Sequence, residues 1–407
     1  MDRNIKTILA AVVLLQAGMA AYSNFFSVYI AEITGGSYMA VAVFAALPFA
    51  AYAFTSRIWG VLSDFFGARR PFMIWGLFAM GALTALFIPF FNSAAMIIGI
   101  STVVSLANAV FMPAMLAAVS HDTENSGKAL GLFDGAAALG WGAGSMAMGL
   151  MAKFASTDLK GDFSMIFMFS SAAILLASIV VMIFFHRLKL KRMEGKLSDM
   201  VKSTYKISSS SPLLPLLYIA VLLGWFALFW YVPLIKLNLF DDFAGGDWLL
   251  YGAAHAAASF TSIFASPFAG RLCDRIGGQR IMMGAMAAYM VYIPAAVFFA
   301  HDKLIFIILW MLPIWSFFNV GIYSSGARLS KIEHRAETMG TLESCRDLAG
   351  TAAPLGSGRL ASAIGRNQSI VFAPLFLVGA FIAMLLLRRK QAMEEKATLF
   401  TQKTISR

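Results

Sequence analysis

The sequence predicts an all-α integral membrane protein with twelve transmembrane helices, arranged as two related six-helix halves. Three features predict this fold: the composition, twelve long apolar stretches, and a motif that occurs once in each half. The chain has 407 residues, of which 59% are hydrophobic and only 13% charged. A soluble domain carries about 25% charged residues, so most of this chain is expected to lie in lipid.

Twelve apolar stretches are each long enough to cross a bilayer, which takes about 20 residues in a helix. We place them at 5–30, 38–61, 71–91, 94–119, 128–152, 163–185, 213–236, 248–270, 280–300, 303–327, 338–362 and 368–387. The one long link is charged and ends in a run of serines. These features predict an N-terminal half at 1–185, a linker at 186–211, a C-terminal half at 212–390 and a tail at 391–407.

A short motif ends the second apolar stretch and is repeated at the end of the eighth. Its two copies read Gly60-Val61-Leu62-Ser63-Asp64-Phe65-Phe66-Gly67 and Gly270-Arg271-Leu272-Cys273-Asp274-Arg275-Ile276-Gly277. A glycine followed by an acid three residues later returns at a matching distance, first at Gly131 and then at Gly340. Internal repeats of this kind in a membrane protein are typical of secondary transporters.

The net charge of +11 is concentrated in alternate loops. Basic residues cluster at 69–70, 187–206, 271–280, 328–335 and 388–390, whereas the intervening loops hold few. This asymmetry follows the positive-inside rule and predicts a multi-pass protein of the cell membrane with both termini in the cytoplasm. It explains the positive charge without a nucleic-acid partner.

The sequence offers no sign of an enzyme, a metal site or a cofactor. It lacks the Walker loop, the H-E-x-x-H pair and the G-x-S-x-G elbow. Its two cysteines, Cys273 and Cys345, imply neither a disulfide framework nor a metal site.

The repeated motif resembles the hallmark of the major facilitator superfamily, G-x-L-[AS]-D-[RK]-x-G-[RK]-[RK], and the resemblance extends over nearly the whole chain. The matching residues are Gly60, Asp64, Gly67, Arg69 and Arg70 in the first copy, and Gly270, Asp274, Arg275, Gly277 and Arg280 in the second. Phe65 replaces the usual base, and the first arginine pair lies one place late. The resemblance implies two six-helix bundles around a central cavity that opens alternately to each side of the membrane.

The same resemblance implies that Asp64 and Asp274 act as a conformational latch against the N-terminus of a neighbouring helix, where an anion is favoured. The alternative is an aspartate that only ends a helix beside a turn glycine. The fifth helix is similar to the family's glycine-rich motif, which is associated with antiporters. The corresponding positions are Gly131, Gly140, Gly144, Ser145, Met148 and Gly149, with Ser145 in place of the usual proline and Met148 in place of a glycine.

Four charged residues are predicted to lie inside the membrane, where charge is costly and indicates function. Asp134 lies about 9 Å inside the fifth helix, and Arg346 and Asp347 about 12–14 Å inside the eleventh. Glu343 shares a helix face with both of them. An acid beside Arg346 stays charged, and one that loses this partner can take up a proton. We therefore expect proton coupling or substrate contact here, with a static ion pair or a gate as alternatives; for Asp134 we favour gating.

His255, inside the eighth helix, is either a proton carrier or a packing residue. Neutral polar and aromatic residues inside other helices are candidates to line a substrate cavity, because polar groups in lipid must face protein or a cavity. These candidates are Gln16, Asn24, Asn108, Trp225, Trp230 and Asn319. Contacts between helices, or a belt of aromatic residues at the membrane surface, are the alternatives.

The function predicted from these features is secondary transport of a small molecule by a monomer in the lipid bilayer, coupled to protons. The favoured subtype is efflux or antiport of an amphipathic organic compound. Proton-linked uptake of a sugar or an organic acid, with Arg346 meeting the anion, is the alternative. A receptor or lipid-handling scaffold that does not transport is an alternative of another class.

Overall fold

The computed structural model of the protein describes residues 3–119, 126–157, 163–186, 211–330 and 335–405. These residues form helices and short connections, without a strand, which confirms the predicted all-α class. Most of the predicted linker, 187–210, lies outside the described residues.

The N-terminal half contains six long helices. They are α1 (Arg3–Ile33), α2 (Tyr38–Phe65), α3 (Arg69–Thr84, followed by the short helix Phe87–Phe90), α4 (Ala94–Val119), α5 (Ser126–Thr157) and α6 (Ser164–Phe184). The bounds differ from the predicted stretches by a few residues at most ends. The motif's first copy lies mainly in the last turns of α2, which runs four residues beyond its predicted end at 61.

The C-terminal half contains six more. They are α7 (Leu214–Asn238, continued by the π-helix Leu239–Phe243), α8 (Trp248–Ile276), α9 (Gly278–Phe298), α10 (Lys303–Trp310 and Ile314–Leu329), α11 (Arg335–Ile364) and α12 (Ala373–Ile405, preceded by the short helix Arg366–Ile370). Three boundaries in this half differ from the prediction by six or more residues: the helical backbone that begins with α7 continues to Phe243 rather than ending at 236, α8 ends at Ile276 rather than at 270, and α12 continues beyond 387.

Nine of the described helical segments are long and apolar enough to cross a membrane. The long helices outside this group are α5, α8 and α11, which are richer in glycine, serine and charge. All three lie where the two halves meet, because α5 packs along α8 and α11 packs along α2. Helices that face other protein rather than lipid need less apolar surface, so their position explains their composition.

The glycines of α5 bring its backbone close to two neighbours. Added Cβ atoms at Gly140 and Gly144 would overlap the carbonyl oxygens of Val13 and Ala17 on α1. On the side that meets α8, a Cβ at Gly131 would lie 2.8 Å from the Ser266 carbonyl oxygen, and one at Gly149 the same distance from that of Trp248. The glycine motif of α5 therefore joins α1 within one half and α8 across the two halves.

Replacing Gly144 by alanine is expected to destabilise the protein by about 1–3 kcal/mol, because the new methyl group meets backbone that cannot turn aside. The matched control is Gly284→Ala on α9, where the added Cβ meets nothing within 4 Å. That change removes a helix glycine and is expected to be neutral or to stabilise by up to about 1 kcal/mol. Thermal unfolding of the purified proteins in detergent compares them. Equal melting temperatures for the two variants would show that α1 and α5 are not in close contact.

Candidate functional site

The charged residues of α11 form one ion-paired cluster. Nη2 of Arg346 lies 2.6 Å from Oε2 of Glu343 and 3.2 Å from Oδ1 of Asp347. Spacings of three and four residues place the two acids on the same helix face, one turn apart, with Arg346 beside both. The side chain of Asp347 is only 1% exposed. The structure thus brings these three predicted residues together within one helix.

Side chains of α2 and α10 surround this α11 cluster. The guanidinium of Arg346 lies over the ring of Tyr52 on α2, 5.8 Å from its centroid, which is a cation–π contact between the two halves. Arg57, one turn further along α2, lies near Asp347. The hydroxyl of Tyr323 on α10 donates a hydrogen bond to Glu343. Neither tyrosine was singled out from the sequence, since only the packing of α2 and α10 on α11 places them here.

One carboxylate oxygen of this cluster has neither a hydrogen-bond partner nor an ion-pair partner among the described residues. Oδ2 of Asp347 is buried and has no hydrogen-bond partner among the described residues. Leaving a buried carboxylate oxygen unsatisfied is costly. A carboxylic acid proton on that oxygen would relieve the charge, so the arrangement can accept a proton.

Asp134 of α5 forms a second polar cluster, and its partners come from the other half. Its carboxylate accepts a hydrogen bond from Ser266 Oγ of α8 at 2.6 Å and from Asn319 Nδ2 of α10 at 3.0 Å. Ser266 Oγ also lies 2.8 Å from Ser316 Oγ. Asn319, predicted as a cavity residue, thus donates to Asp134, and the cluster joins the two halves; gating by Asp134 stays a prediction.

Lys236 is the charged residue that sequence analysis missed. Its Nζ donates to Asn24 Oδ1 at 3.0 Å and lies 3.4 Å from Ser27 Oγ, so α7 is joined to α1 of the other half. Asn24 is fully buried and donates in turn to Ser145 Oγ on α5 at 2.8 Å. Both partners of the lysine are neutral, and no ion pair of Lys236 occurs in the described parts of the chain. This ammonium group can therefore receive an anion.

His255 of α8 is buried, with only 5% of its surface exposed. Its ring makes T-shaped contacts with the rings of Tyr251 and Trp310, whose centroids lie 4.8 and 5.3 Å from its own. Its Nε2 has no hydrogen-bond partner within the described ranges. These contacts show an imidazole that is packed among aromatic rings. Lys236 lies close enough to interact with it electrostatically.

The other predicted cavity residues have varied surroundings. Trp225 is buried and stacks on Phe229, and the indole N–H of Trp230 donates to the Ser369 carbonyl at 2.8 Å inside the C-terminal half. Gln16 lies against α5, with its Cβ 2.9 Å from the position a Cβ would take at Gly140. Asn108 Oδ1 is buried without a partner among the described groups. Of all the predicted cavity residues, Asn24 and Asn319 are the two that the structure places beside a charged group of the other half, Lys236 and Asp134 respectively.

The two copies of the repeated motif make matching turns. Gly67 and Gly277 both have positive φ, 59° and 93°, which favours glycine at these positions. Arg70 Nη2 donates to the Met182 carbonyl near the end of α6 at 2.5 Å. The side chain of Asp64 lies outside the described part, and Asp274 is exposed, with no hydrogen bond or ion pair to a described residue.

The face of the protein opposite these turns carries exposed ion pairs. Lys153 of α5 lies 3.4 Å from Asp247, which caps the start of α8 by accepting from the N–H groups of Leu249 and Leu250. The Leu250 and Leu249 N–H groups and Lys153 lower the pKa of Asp247. Among the described residues, no group of three or more His, Cys, Asp or Glu side chains is arranged to hold a metal ion.

Comparison with known proteins identifies relatives of this architecture. The family model described as Major Facilitator Superfamily matches residues 8–354 and 249–404. No curated protein matches the chain significantly. Among solved structures, the chain is similar to the human organic anion transporter MFSD10 (TETRAN), with a TM-score of 0.72 and 14% sequence identity. That match covers 94% of this chain and 99% of the human one, and at this identity it shows the shared fold alone.

Proposed function

The chain belongs to the major facilitator superfamily and is a membrane transporter rather than an enzyme, and on that premise we propose that it carries an amphipathic organic anion across the cell membrane, driven by protons. The single observation that carries the proton coupling is the α11 cluster, in which two acids flank Arg346 beside the other half of the protein. Substrate would pass between the halves as they open alternately to each side.

The location of the α11 cluster supports its proposed role. Arg346 contacts Tyr52 across the boundary between the halves, so a movement of one half against the other changes the surroundings of all three charges. In the packed state Arg346 stabilises the ionised acids. When the halves separate, the acids meet water on one side of the membrane and can exchange protons there.

The surroundings of Lys236 support the proposal that the substrate carries an anionic group. Arg346, which the sequence offered as an anion receptor, is already paired with two carboxylates. Within the described ranges, Lys236 instead contacts only neutral acceptors, and it bridges α7 and α1, two helices that line the central cavity in this family. A charged lysine without a counter-charge favours an anion over a neutral sugar or an organic cation. Asn24 would orient the ammonium group.

The glycine motif of α5 supports antiport as the mode of coupling. Antiport against entering protons moves the substrate outward, so the proposed direction is efflux. Uptake of an organic acid would use the same lysine and the same acids, so the two directions differ in the sign of the pH gradient that drives accumulation. A receptor that does not transport would bind the compound without exchanging it.

Reconstituted protein distinguishes these functions. Thermal unfolding is first measured with matched probes, aromatic carboxylates such as 1-naphthoate against the corresponding amides and amines. Proteoliposomes then test counterflow of the best ligand and its accumulation under pH gradients of both signs. We expect carboxylates to stabilise the protein, to exchange, and to accumulate in the compartment that antiport predicts. Stabilisation by amines or amides alone would contradict an anionic substrate, and binding without counterflow would indicate a receptor.

We also propose that the protein lies in the cell membrane with both termini and the 186–211 loop in the cytoplasm, which the charged loops support. A cysteine introduced at Ser198, in a chain with Cys273 and Cys345 replaced by serine, should not react with an impermeant maleimide outside intact cells. A cysteine at His301 is the control that should react. The reverse pattern would invert the topology.

A further inference from the structure

A pocket lined by arginines lies at the end of the C-terminal half that carries the α8–α9 turn. It has a volume of about 570 Å³ and is enclosed by the end of α8, the start of α9, the end of α10 and one face of α12. Four exposed arginines line it: Arg275, Arg280, Arg328 and Arg388. We call this the arginine pocket. It lies away from the α11 cluster and from Lys236, and the proposed transport mechanism does not use it.

None of the described residues that line the arginine pocket is acidic. Its remaining polar side chains are neutral, and the most direct contact among them joins Gln279 to Gln391 at 3.2 Å. None of its four arginines forms an ion pair or a hydrogen bond with the described residues. The acid next to it in sequence, Asp274, points to solvent without an ion pair in the same part of the chain. Four guanidinium groups around one space repel each other unless an anion enters.

Comparison of the two halves shows that Arg280 lacks the hydrogen-bond acceptor that its counterpart Arg70 has among the described residues. Arg280 follows its motif at the position that Arg70 occupies in the N-terminal half. Arg70 donates to the Met182 carbonyl near the end of α6. In the C-terminal half the corresponding helix, α12, continues in helical conformation to Ile405. Its carbonyl groups near Arg388 are therefore engaged within the helix, and Arg280 has no equivalent acceptor.

We propose that the arginine pocket binds a phosphate-bearing anion, either the headgroup of an anionic phospholipid or a soluble phosphate. Arginine presents a planar set of N–H donors that fits phosphate oxygens in pairs. The first residues of α9, Gly278 to Arg280, line the same space, and the N-terminus of a helix favours negative charge. A bound phosphate would link α8, α9, α10 and α12, and would take the place of the protein carbonyl that Arg70 uses.

The test uses the purified full chain and two kinds of probe. Native mass spectrometry counts the molecules of phosphatidylglycerol retained by the protein, with phosphatidylcholine as the neutral-headgroup control. Thermal unfolding in sodium phosphate, against sodium chloride of equal ionic strength, tests the soluble anion. The pocket variant is Arg280→Gln/Arg388→Gln on α9 and α12, and the matched control is Arg271→Gln/Arg389→Gln, which removes the same charge from α8 and α12 outside the pocket. Arg280→Lys/Arg388→Lys restores charge without the paired donors.

We expect the wild type and the control to retain the anion and the pocket variant to bind it at least about tenfold more weakly. The lysine variant should bind between the two. Selective retention of phosphatidylglycerol identifies a lipid site, and stabilisation by phosphate identifies a soluble ligand. Equal losses in the pocket variant and its control, or no preference of the wild type for either anion, would overturn the proposal. Wild-type melting behaviour of the pocket variant and the lysine variant without added anion shows that their substitutions leave the fold intact.

Discussion

Arg346→Ala is expected to abolish accumulation of substrate under a pH gradient while the protein still reaches the membrane. The change leaves Glu343 and Asp347 side by side without the guanidinium that now lies 2.6 Å from one and 3.2 Å from the other. Removing one partner of a buried ion pair costs about 3–5 kcal/mol if the other stays charged. The acids are expected to avoid this penalty by holding protons in both states, and a carrier that never releases its proton cannot couple transport to the gradient.

The same helix supplies the control for this prediction. Arg359→Ala removes an exposed arginine of α11 that has no ion pair in the described residues, and it should transport normally. Uptake into proteoliposomes under an imposed pH gradient gives the comparison. Accumulation by Arg346→Ala at the wild-type level would show that the cluster is a static ion pair without a role in coupling.

Glu343→Gln separates coupling from substrate movement within the same experiment. Exchange of labelled for unlabelled substrate needs no net proton movement, so it should persist in this variant while accumulation driven by pH is lost. If Glu343→Gln still concentrates substrate, Glu343 is not the proton carrier. Asp134, whose carboxylate joins Ser266 and Asn319 across the halves, is then the next acid to replace.

Lys236→Met is expected to weaken binding of an aromatic carboxylate about tenfold to a hundredfold and to leave binding of its neutral amide nearly unchanged. A hydrogen bond to a charged group contributes about 1.5–3 kcal/mol, and each 1.4 kcal/mol corresponds to about a factor of ten in affinity. Methionine keeps the length and flexibility of lysine without its charge, so packing against α1 is preserved. The measurement is ligand-dependent thermal unfolding or direct binding to the purified protein.

Two further variants make this result specific to Lys236. Lys236→Arg keeps a positive charge and should retain part of the affinity, whereas Lys303→Met, at the exposed start of α10, should behave as wild type. Equal affinity of wild type and Lys236→Met for the carboxylate would contradict an anionic substrate bound at Lys236. Any transport coupled through α11 would then concern a substrate of another class.

The fold was predictable because composition, the length of the apolar stretches and the internal repeat are all visible in the sequence, without knowledge of which helices pack together. The α11 cluster was predictable in part for the same reason, since Glu343, Arg346 and Asp347 meet through helix spacing alone. The contacts of Tyr52 and Tyr323 with that cluster depend on how α2 and α10 pack on α11, and a sequence pattern does not contain that information.

Lys236 was missed for a specific physical reason. Hydropathy ended the seventh helix at this lysine, whereas the structure continues it through Asn238 and a π-helix to Phe243. The charge therefore lies one to two turns inside the helical segment, against Asn24, rather than in a loop. Asn319 and Trp230 had been predicted to line a cavity, but their polar atoms find partners at Asp134 and Ser369, which only the packing of helices distant in sequence brings near.

The glycine-lined contact between α5 and α8 has a consequence for how fast the two halves can move. At Gly131 and Gly149 the two helix backbones meet almost directly, and Gly252 of α8 adds a second bare surface. Interlocked large side chains would have to leave one set of rotamers and find another each time the halves tilt. Two smooth helix surfaces can instead roll over each other with little side-chain rearrangement. We therefore expect the polar contacts at Asp134 and Lys236, rather than the α5–α8 contact, to set the barrier to each movement of the halves.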